Sequence, residues 1–202
     1  MMKQLIFAMM MMLPAAVSAQ DNSWERIETQ ENKNSVDQKY LAGAVPVVDN
    51  RVVFTTTIEA PGKTAGQVYD ICLDYMNRML KESNQLEQSR LVTTDRERGQ
   101  LIANIQEWLV FKSTALVLDR TRFMYILKVD CSDGQATVTM TRIYYLYEEE
   151  RNPTTFTAEE WITDRYGLNK KQTKLARVSG KFRRKTIDRK DFLFNKFASL
   201  LK

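Results

Sequence analysis

The sequence contains no histidine and only two cysteines, Cys72 and Cys131. The missing histidine excludes histidine-based acid–base catalysis, Ser-His and Cys-His nucleophile pairs and nearly all zinc sites. Two cysteines are too few for a thiolate metal site or a disulfide framework. With 7 glycines and 4 prolines among 202 residues, the chain is neither collagen-like nor of low complexity. The composition therefore predicts a single globular domain with short additional segments, without a metal ion or cofactor.

The first residues have the pattern of a secretory signal peptide. Lys3 precedes an apolar run from Leu5 to Leu13, and small residues lead to a cleavage site before Gln20. The run is shorter than the ~20 residues that a membrane-spanning helix needs, and no later run is long enough. We therefore expect residues 1–19 to be a signal peptide and the protein to be secreted, either periplasmic or associated with the cell surface.

The rest of the chain divides into a polar linker, residues 20–43, and one domain, residues 44–202. Alternating apolar and polar residues predict strands at 51–59, 90–95, 100–111, 122–131 and 136–147. Helical spacing predicts a first helix capped by Thr64, a second over 158–166 capped by Thr157, and a last one capped by Asp188. This order predicts an α+β fold in which helices cover one face of an antiparallel sheet.

Alternation along the last predicted strand divides its side chains between the two faces of the sheet. Val138 and Met140 share one face with Tyr144, which we expect in the core or at its rim. The opposite, semi-polar face is predicted to carry Thr139, Thr141, Tyr145 and Tyr147. Cys72 and Cys131 are interpreted as small buried hydrophobic residues, and the alternative is a disulfide between them.

Several phrases of the sequence resemble a family of secreted bacterial proteins. These phrases are Val52-Val53-Phe54, Pro61-Gly62-Lys63-Thr64, Val68-Tyr69, Ala158-Glu159-Glu160-Trp161-Ile162 and Lys181-Phe182-Arg183-Arg184-Lys185-Thr186-Ile187-Asp188. The family is the domain-of-unknown-function family 4468, which has a TATA-binding-protein-like (TBP-like) fold and members largely from Gram-negative gut-type bacteria. The resemblance implies a β-α-β-β-β-β-α core and no activity. The name of the fold does not imply a nucleic-acid partner, because function belongs to sites rather than folds.

The charge is concentrated at the C-terminal end of the chain. Residues 167–202 carry twelve lysines and arginines against two aspartates. The candidate site for an anion or a partner is the cluster Lys181, Arg183, Arg184 and Lys185, which would bind an envelope phosphate, an anionic glycan or lipid, or another envelope protein. The structural alternative, which we favour, supplies the counter-charge from acids within the fold, such as Glu148–Glu150.

Two further motifs have structural explanations. Gly62-Lys63-Thr64 looks like the end of a phosphate-binding loop, but the glycine that such a loop needs five residues before Gly62 is Thr57. The three residues are explained by a tight turn and a helix cap. Glu148–Glu150 and Glu159-Glu160 offer the carboxylates of a glycosidase, but a strand end and the first turn of a helix account for them.

These observations favour a non-enzymatic binding or interaction module of the bacterial envelope. One alternative is a carrier of small apolar ligands, with a cavity lined by Phe123, Tyr125, Leu127, Met76 and Phe194. The other is a carboxylate-based hydrolase of envelope glycans, whose cleft would hold two facing acids. A filled core with an open sheet face favours the interaction module.

We expect the mature protein to begin at Gln20, partly cyclised to pyroglutamate, because the small residues before it form a cleavage site. Mass spectrometry of the intact protein from producing cells measures this N-terminus. A cytoplasmic protein that still carries Met1 would contradict secretion and would make nucleic-acid binding a candidate function again.

Overall fold

The computed structural model describes residues 38–114 and 116–202. The predicted signal peptide, 1–19, and linker residues 20–37 lie outside the described residues. Residues 38–43, which the sequence analysis assigns to the linker, include a 3₁₀ turn at Gln38–Tyr40 in which Tyr40 is buried. The packed structure thus includes residues before Ala44. No helix in the described ranges combines the length and the apolar character needed to cross a membrane.

The elements follow the predicted order. One additional short strand precedes the first predicted strand, and another follows the last predicted strand. The strands are β1 (Val47–Val48), β2 (Arg51–Glu59), β3 (Arg90–Asp95), β4 (Gln100–Ser113), β5 (Leu118–Ser132), β6 (Gln135–Tyr147) and β7 (Thr154–Thr157). The helices are α1 (Ala65–Met79), α2 (Ala158–Trp161), α3 (Asp164–Gly167) and α4 (Gly180–Leu201). The series β2-α1-β3-β4-β5-β6-α4 is the β-α-β-β-β-β-α core that the resemblance implies.

The strands form one antiparallel sheet in the order β1-β2-β6-β5-β4-β3, and β7 pairs with the far end of β6. Side chains along β4 and β5 alternate strictly between buried and half-buried positions. The buried side chains share one core with α1 and α4. The predicted α+β class, with helices on one face of the sheet, is confirmed.

One predicted helix start is confirmed, whereas the second and the last predicted helices have other boundaries. Thr64 and Gln67 form the predicted capping box of α1. The predicted helix over 158–166, however, is two single turns, α2 and α3, although the Thr157 hydroxyl accepts the predicted amide hydrogen bond from Glu160 at 3.3 Å.

Asp188 does not cap the last helix, because α4 begins at Gly180 and Asp188 lies within it. Its carboxylate accepts hydrogen bonds from Lys39 Nζ at 2.8 Å and from the Tyr40 hydroxyl at 2.7 Å. Gly180 allows the start of α4 to approach Leu175 closely, since a Cβ at position 180 would lie 2.7 Å from Leu175 Cβ. Tertiary contacts thus explain Asp188 and Gly180, although the sequence pattern presents Asp188 as a local helix cap.

A bulge in β6 overturns the predicted division of its side chains. Arg142 has a φ of 52°, and the register with β5 shifts between Met124 and Ile126. Because the extra residue reverses the alternation, Tyr145 enters the core and Tyr144 becomes exposed. Tyr147 lies half-buried near the helix side, where its ring packs edge-on to Phe182 at 5.3 Å.

Phe182 of α4 is the centre of an aromatic cluster that joins the helix to the sheet. Its ring centroid lies 4.5 Å from that of Phe111, 5.2 Å from Tyr145 and 5.8 Å from Trp161. Trp161 in turn stacks on Phe156 of β7 at 3.9 Å. Aromatic pairs at these distances add roughly 0.5–1.5 kcal/mol each beyond the burial of their area.

Both cysteines are buried, as predicted, and both thiols are free. The neighbouring Cys131 thiol on β5, together with burial, raises the pKa of the Cys72 thiol on α1. A high thiol pKa leaves little reactive thiolate at neutral pH.

A buried ion pair joins α4 to the centre of the sheet. Glu107 occupies a core-facing position of β4, and both its carboxylate and the Arg189 guanidinium are fully buried. Arg189 Nε and Nη2 donate to the two carboxylate oxygens at 2.8 and 2.6 Å, and the Tyr125 hydroxyl donates at 3.0 Å. Burial by itself lowers the pKa of Arg189, but the charge of Glu107, the hydrogen bonds to it and the neighbouring tyrosines together outweigh burial, and the net direction is upward. Gln85 Nε2 also donates to this carboxylate, at 2.6 Å.

We expect Glu107→Gln to lower the free energy of unfolding by about 3–5 kcal/mol, because it removes the buried carboxylate that receives two hydrogen bonds from Arg189. Urea denaturation measures the change. The double variant Glu107→Leu with Arg189→Met removes both charges and should be more stable than the single variant. A single variant within about 1 kcal/mol of the parent protein would show that the ion pair does not stabilise the fold.

Candidate functional site

The four residues of the candidate anion cluster point in different directions and have different surroundings. Lys181 Nζ lies 2.7 Å from Asp119 Oδ2 and 2.9 Å from the Tyr147 hydroxyl, which itself donates to Asp119 at 2.9 Å. Burial lowers the pKa of Lys181, but the hydrogen bonds that its ammonium donates to Asp119 and Tyr147, together with the charge of Asp119, outweigh burial, and the net pKa is raised. This triangle joins the start of α4 to the β5–β6 end of the sheet.

Arg183 is fully buried and binds two separate segments of the chain. Its Nε and Nη1 donate to the carbonyls of Tyr40 and Ile162, each at 2.7 Å. Its Nη2 donates to the Leu41 carbonyl at 2.6 Å and to Asp164 at 2.7 Å. Burial lowers the pKa of Arg183, and Asp164 opposes this effect. The guanidinium therefore fastens residues 40–41 and the turn between α2 and α3 to α4.

Lys185 is 3% exposed, and the Arg184 guanidinium lies 5.2 Å from the centre of the Tyr40 ring. The structure therefore does not gather the four cations on one surface, and Asp119 and Asp164 supply counter-charge to two of them. The expected acids Glu148–Glu150 are not their partners. These contacts favour the structural interpretation, while binding of an external anion by these four residues stays a prediction.

The buried side chains of the sheet share a core with α1 and α4, and the half-buried side chains that alternate with them form the opposite face, which we call the open face. Its side chains form rows across the strands, one of which runs Thr55, Thr139, Lys128, Ile102. Threonine hydroxyls of β2 and β6 lie 3.1 Å apart at Thr55–Thr139 and 3.2 Å apart at Thr57–Thr137. The semi-polar face is thus present with Thr139 and Thr141, but without Tyr145 and Tyr147.

The β4–β5 half of the open face is more apolar and carries charged pairs. It includes Ile102, Met124 and Ile126, all half-buried. The Arg120 guanidinium lies 3.7 Å from the centre of the Trp108 ring, and Arg122 forms a two-point ion pair with Glu149 at 2.6 and 3.2 Å. Trp108 also lies half-buried on this face.

The face ends in an open cleft of about 490 Å³ beside the β4–β5 hairpin. One wall is apolar and exposed: Leu116, Val117 and Leu118 are 95%, 45% and 57% exposed. The other wall is Glu148–Glu150, and Trp108 lies between them. No cluster of three or more metal-binding side chains occurs within the described ranges.

A second open cleft, of about 520 Å³, lies between β2 and the C-terminal half of α4. Of the five residues expected to line a carrier cavity, only Phe194 lies on it. The other four, Met76, Phe123, Tyr125 and Leu127, are at most 1% exposed and belong to the packed core.

Both carboxylates of the pair Glu159-Glu160 have hydrogen-bond partners within the fold. Glu159 Oε1 accepts from the Val52 amide at 2.8 Å, and Glu160 accepts from the Thr157 hydroxyl at 2.8 Å. Lys63, from the motif that looks like a phosphate-binding loop, donates to the carbonyls of Leu201 and Lys202 at 2.9 and 3.1 Å. The positive charge of Lys63 compensates the negative C-terminal end of the α4 dipole. This structural role explains the lysine, and no bound nucleotide is needed to account for it.

The family model described as a domain of unknown function (DUF4468) with TBP-like fold matches residues 54–146. The crystal structure of a DUF4468 family protein from Bacteroides ovatus ATCC 8483 is 41% identical, with a TM-score of 0.76, and the match covers 83% of this chain and 95% of that one. The chain belongs to the DUF4468 family.

A more distant relative shares the fold. The crystal structure of a TBP-like protein from Parabacteroides distasonis ATCC 8503 is 16% identical, with a TM-score of 0.65, and the match covers 78% of this chain and 96% of that one. No curated protein sequence matches the chain. Membership of DUF4468 establishes the TBP-like α+β architecture and assigns no function.

Sequence reasoning missed the buried ion pair, although the signal for it is present. Glu107 follows Leu101, Ala103 and Ile105 at the alternating, core-facing positions of β4. Arg189 lies at helical spacing before Leu193 and Phe197 on the apolar stripe of α4. A carboxylate on the apolar face of a strand and a cation on the apolar stripe of a helix are the pattern of a buried pair.

We expect Arg183→Gln to lower the free energy of unfolding by about 3–5 kcal/mol, because it leaves Asp164 and three carbonyls without their donor. Lys181→Gln, at a partly exposed ion pair, should cost at most about 1 kcal/mol. Thermal and urea unfolding of the two variants measure the difference. Equal, small effects would contradict the structural interpretation of Arg183.

Proposed function

We propose that this DUF4468 protein is a non-enzymatic, secreted binding or interaction module of the bacterial envelope, and that the open face of its sheet is the contact surface. The observation that carries the proposal is the contrast between the two faces. One face is filled by α1 and α4, whereas the other presents Ile102, Met124 and Ile126 among threonines and charged side chains.

This mixture of side chains suits recognition of another protein. A protein interface combines an apolar centre with polar groups at its rim, and tryptophan and arginine contribute most of its binding energy. On the open face, Trp108 and Arg120 are stacked at 3.7 Å, and half-buried aliphatic residues lie beside them. Secretion is part of the proposal because of the signal pattern in residues 1–19.

The two alternatives have less support from the contacts. A carrier needs an enclosed apolar cavity, whereas both clefts are open and four of the expected lining residues are packed in the core. A glycan hydrolase needs a neutral carboxyl in apolar surroundings opposite a second one. In the cleft beside the hairpin, Asp119 is paired with Lys181 and Glu149 with Arg122.

The proposal is tested by photo-crosslinking in the producing bacterium. A photoreactive amino acid is placed at Ile126 or Thr139 on the open face, and at Asp74 or Asn195 on the helix side. We expect the two open-face positions to give the same discrete adduct and the two helix-side positions to give none. Ile126→Asp should reduce this adduct by roughly tenfold or more, because a buried charge at an interface costs more than 1.4 kcal/mol.

A melting temperature close to that of the parent protein is the control for folding of Ile126→Asp. Adducts from Asp74 or Asn195 alone, or the same adduct in the presence of Ile126→Asp, would contradict the open face as the contact surface.

A further inference from the structure

The basic charge of the C-terminal third divides between an inner and an outer part. The inner part, at Lys181, Arg183 and Arg189, pairs with acids of the fold. The outer part is the segment 165–178, which we call the basic loop. It contains five basic residues and no acidic one: Arg165, Lys170, Lys171, Lys174 and Arg177.

The basic loop is a compact, hydrogen-bonded turn. Leu168 and Leu175 form an isolated antiparallel bridge across it. The Asn169 side-chain oxygen accepts from the amides of Thr173 at 2.9 Å and Lys174 at 3.2 Å, and the Asn169 amide donates to the Lys174 carbonyl at 2.9 Å. These bonds hold the tip of the loop, with its lysines, in one conformation.

The basic side chains of the loop are directed to solvent. All five basic residues are exposed, and none of them is within 4 Å of a carboxylate of any described residue. Arg165 lies over the Tyr166 ring, 5.2 Å from its centre. The mutual repulsion of these charges is therefore screened by water alone, and an external anion would relieve it.

Two exposed apolar side chains lie within the same surface. Tyr166 is 42% exposed and Val178 is 56% exposed. The Ser179 hydroxyl donates to the Tyr166 carbonyl at 2.5 Å, which places the two ends of the loop side by side. The surface thus combines five cations with an aromatic and an aliphatic side chain.

From this combination we propose that the basic loop binds the surface of a membrane that contains anionic lipids. Clusters of four to eight lysines and arginines attract anionic lipids by roughly 1 kcal/mol for each residue. A tyrosine lies well at the interface, where its ring meets the acyl boundary and its hydroxyl the headgroups. A soluble anionic glycan would use the same charges, but it has no acyl region that would take up the exposed Val178 side chain. This site is separate from the open face, so that each proposal can fail by itself.

Sedimentation with vesicles of phosphatidylglycerol and phosphatidylcholine tests the proposal on the whole mature chain. We expect binding that rises with the phosphatidylglycerol fraction, is weak to phosphatidylcholine alone and falls between about 0.05 M and about 0.5 M salt. The variant Lys170→Gln, Lys171→Gln, Lys174→Gln should lower the partition coefficient on the order of 100-fold.

A matched control variant separates this site from net charge. Lys81→Gln, Arg98→Gln, Lys112→Gln removes three exposed charges elsewhere and should lower the partition coefficient far less. Tyr166→Ser with Val178→Ser should weaken the binding that persists at high salt. Equal losses in the loop and control variants would overturn the proposal. So would tighter binding to heparin than to vesicles at the same salt concentration, since that result would assign the loop to anionic glycans.

Discussion

The burial of two arginines of α4 is the constraint on which the arrangement of this domain depends. Arg189 enters the core between the helix and β4, where Glu107 and Tyr125 receive it, and Arg183 binds the carbonyls of Tyr40, Leu41 and Ile162. A buried charge is tolerated only with its partners in good geometry. The two guanidiniums therefore set the height and rotation of α4 on the sheet, while Phe182 and its aromatic neighbours fill the space between them.

The same constraint distributes the basic charge of the C-terminal segment. Where α4 faces the sheet, its cations are compensated from within by carboxylates and carbonyls. Where the chain turns away at residues 165–178, no acid of the described chain approaches the cations, and they remain in water. The basic residues of this stretch therefore have two different roles. Some form internal ion pairs and hydrogen bonds that hold α4 to the rest of the domain, and the others form an exposed basic surface.

The two faces of the sheet also differ in what their side chains contact. Helices on one face use the apolar half of each strand, so that the other half is available for contacts outside the domain. The bulge at Arg142 then moves Tyr145 into the core and brings Tyr144 to the surface. The family shares this architecture, and nothing in the architecture itself assigns it an activity, because function belongs to sites rather than folds.

Local patterns of the sequence by themselves determined the β-α-β-β-β-β-α order, the capping box at Thr64 and the burial of both cysteines. Each depends on residues within a few positions, where alternation, helical spacing and turn chemistry act directly. Tertiary structure alone decided the rest: the start of α4 at Gly180, the reversal of faces in β6, and the partners of Arg183, Arg189 and Asp188. These features depend on contacts beyond the local sequence, and the partners of Arg189 and Asp188 are far away in it: Glu107 is 82 positions from Arg189, and Tyr40 is 148 positions from Asp188. A charged side chain looks the same in the sequence whether water or a buried carboxylate will face it, and only the folded chain brings that partner within reach.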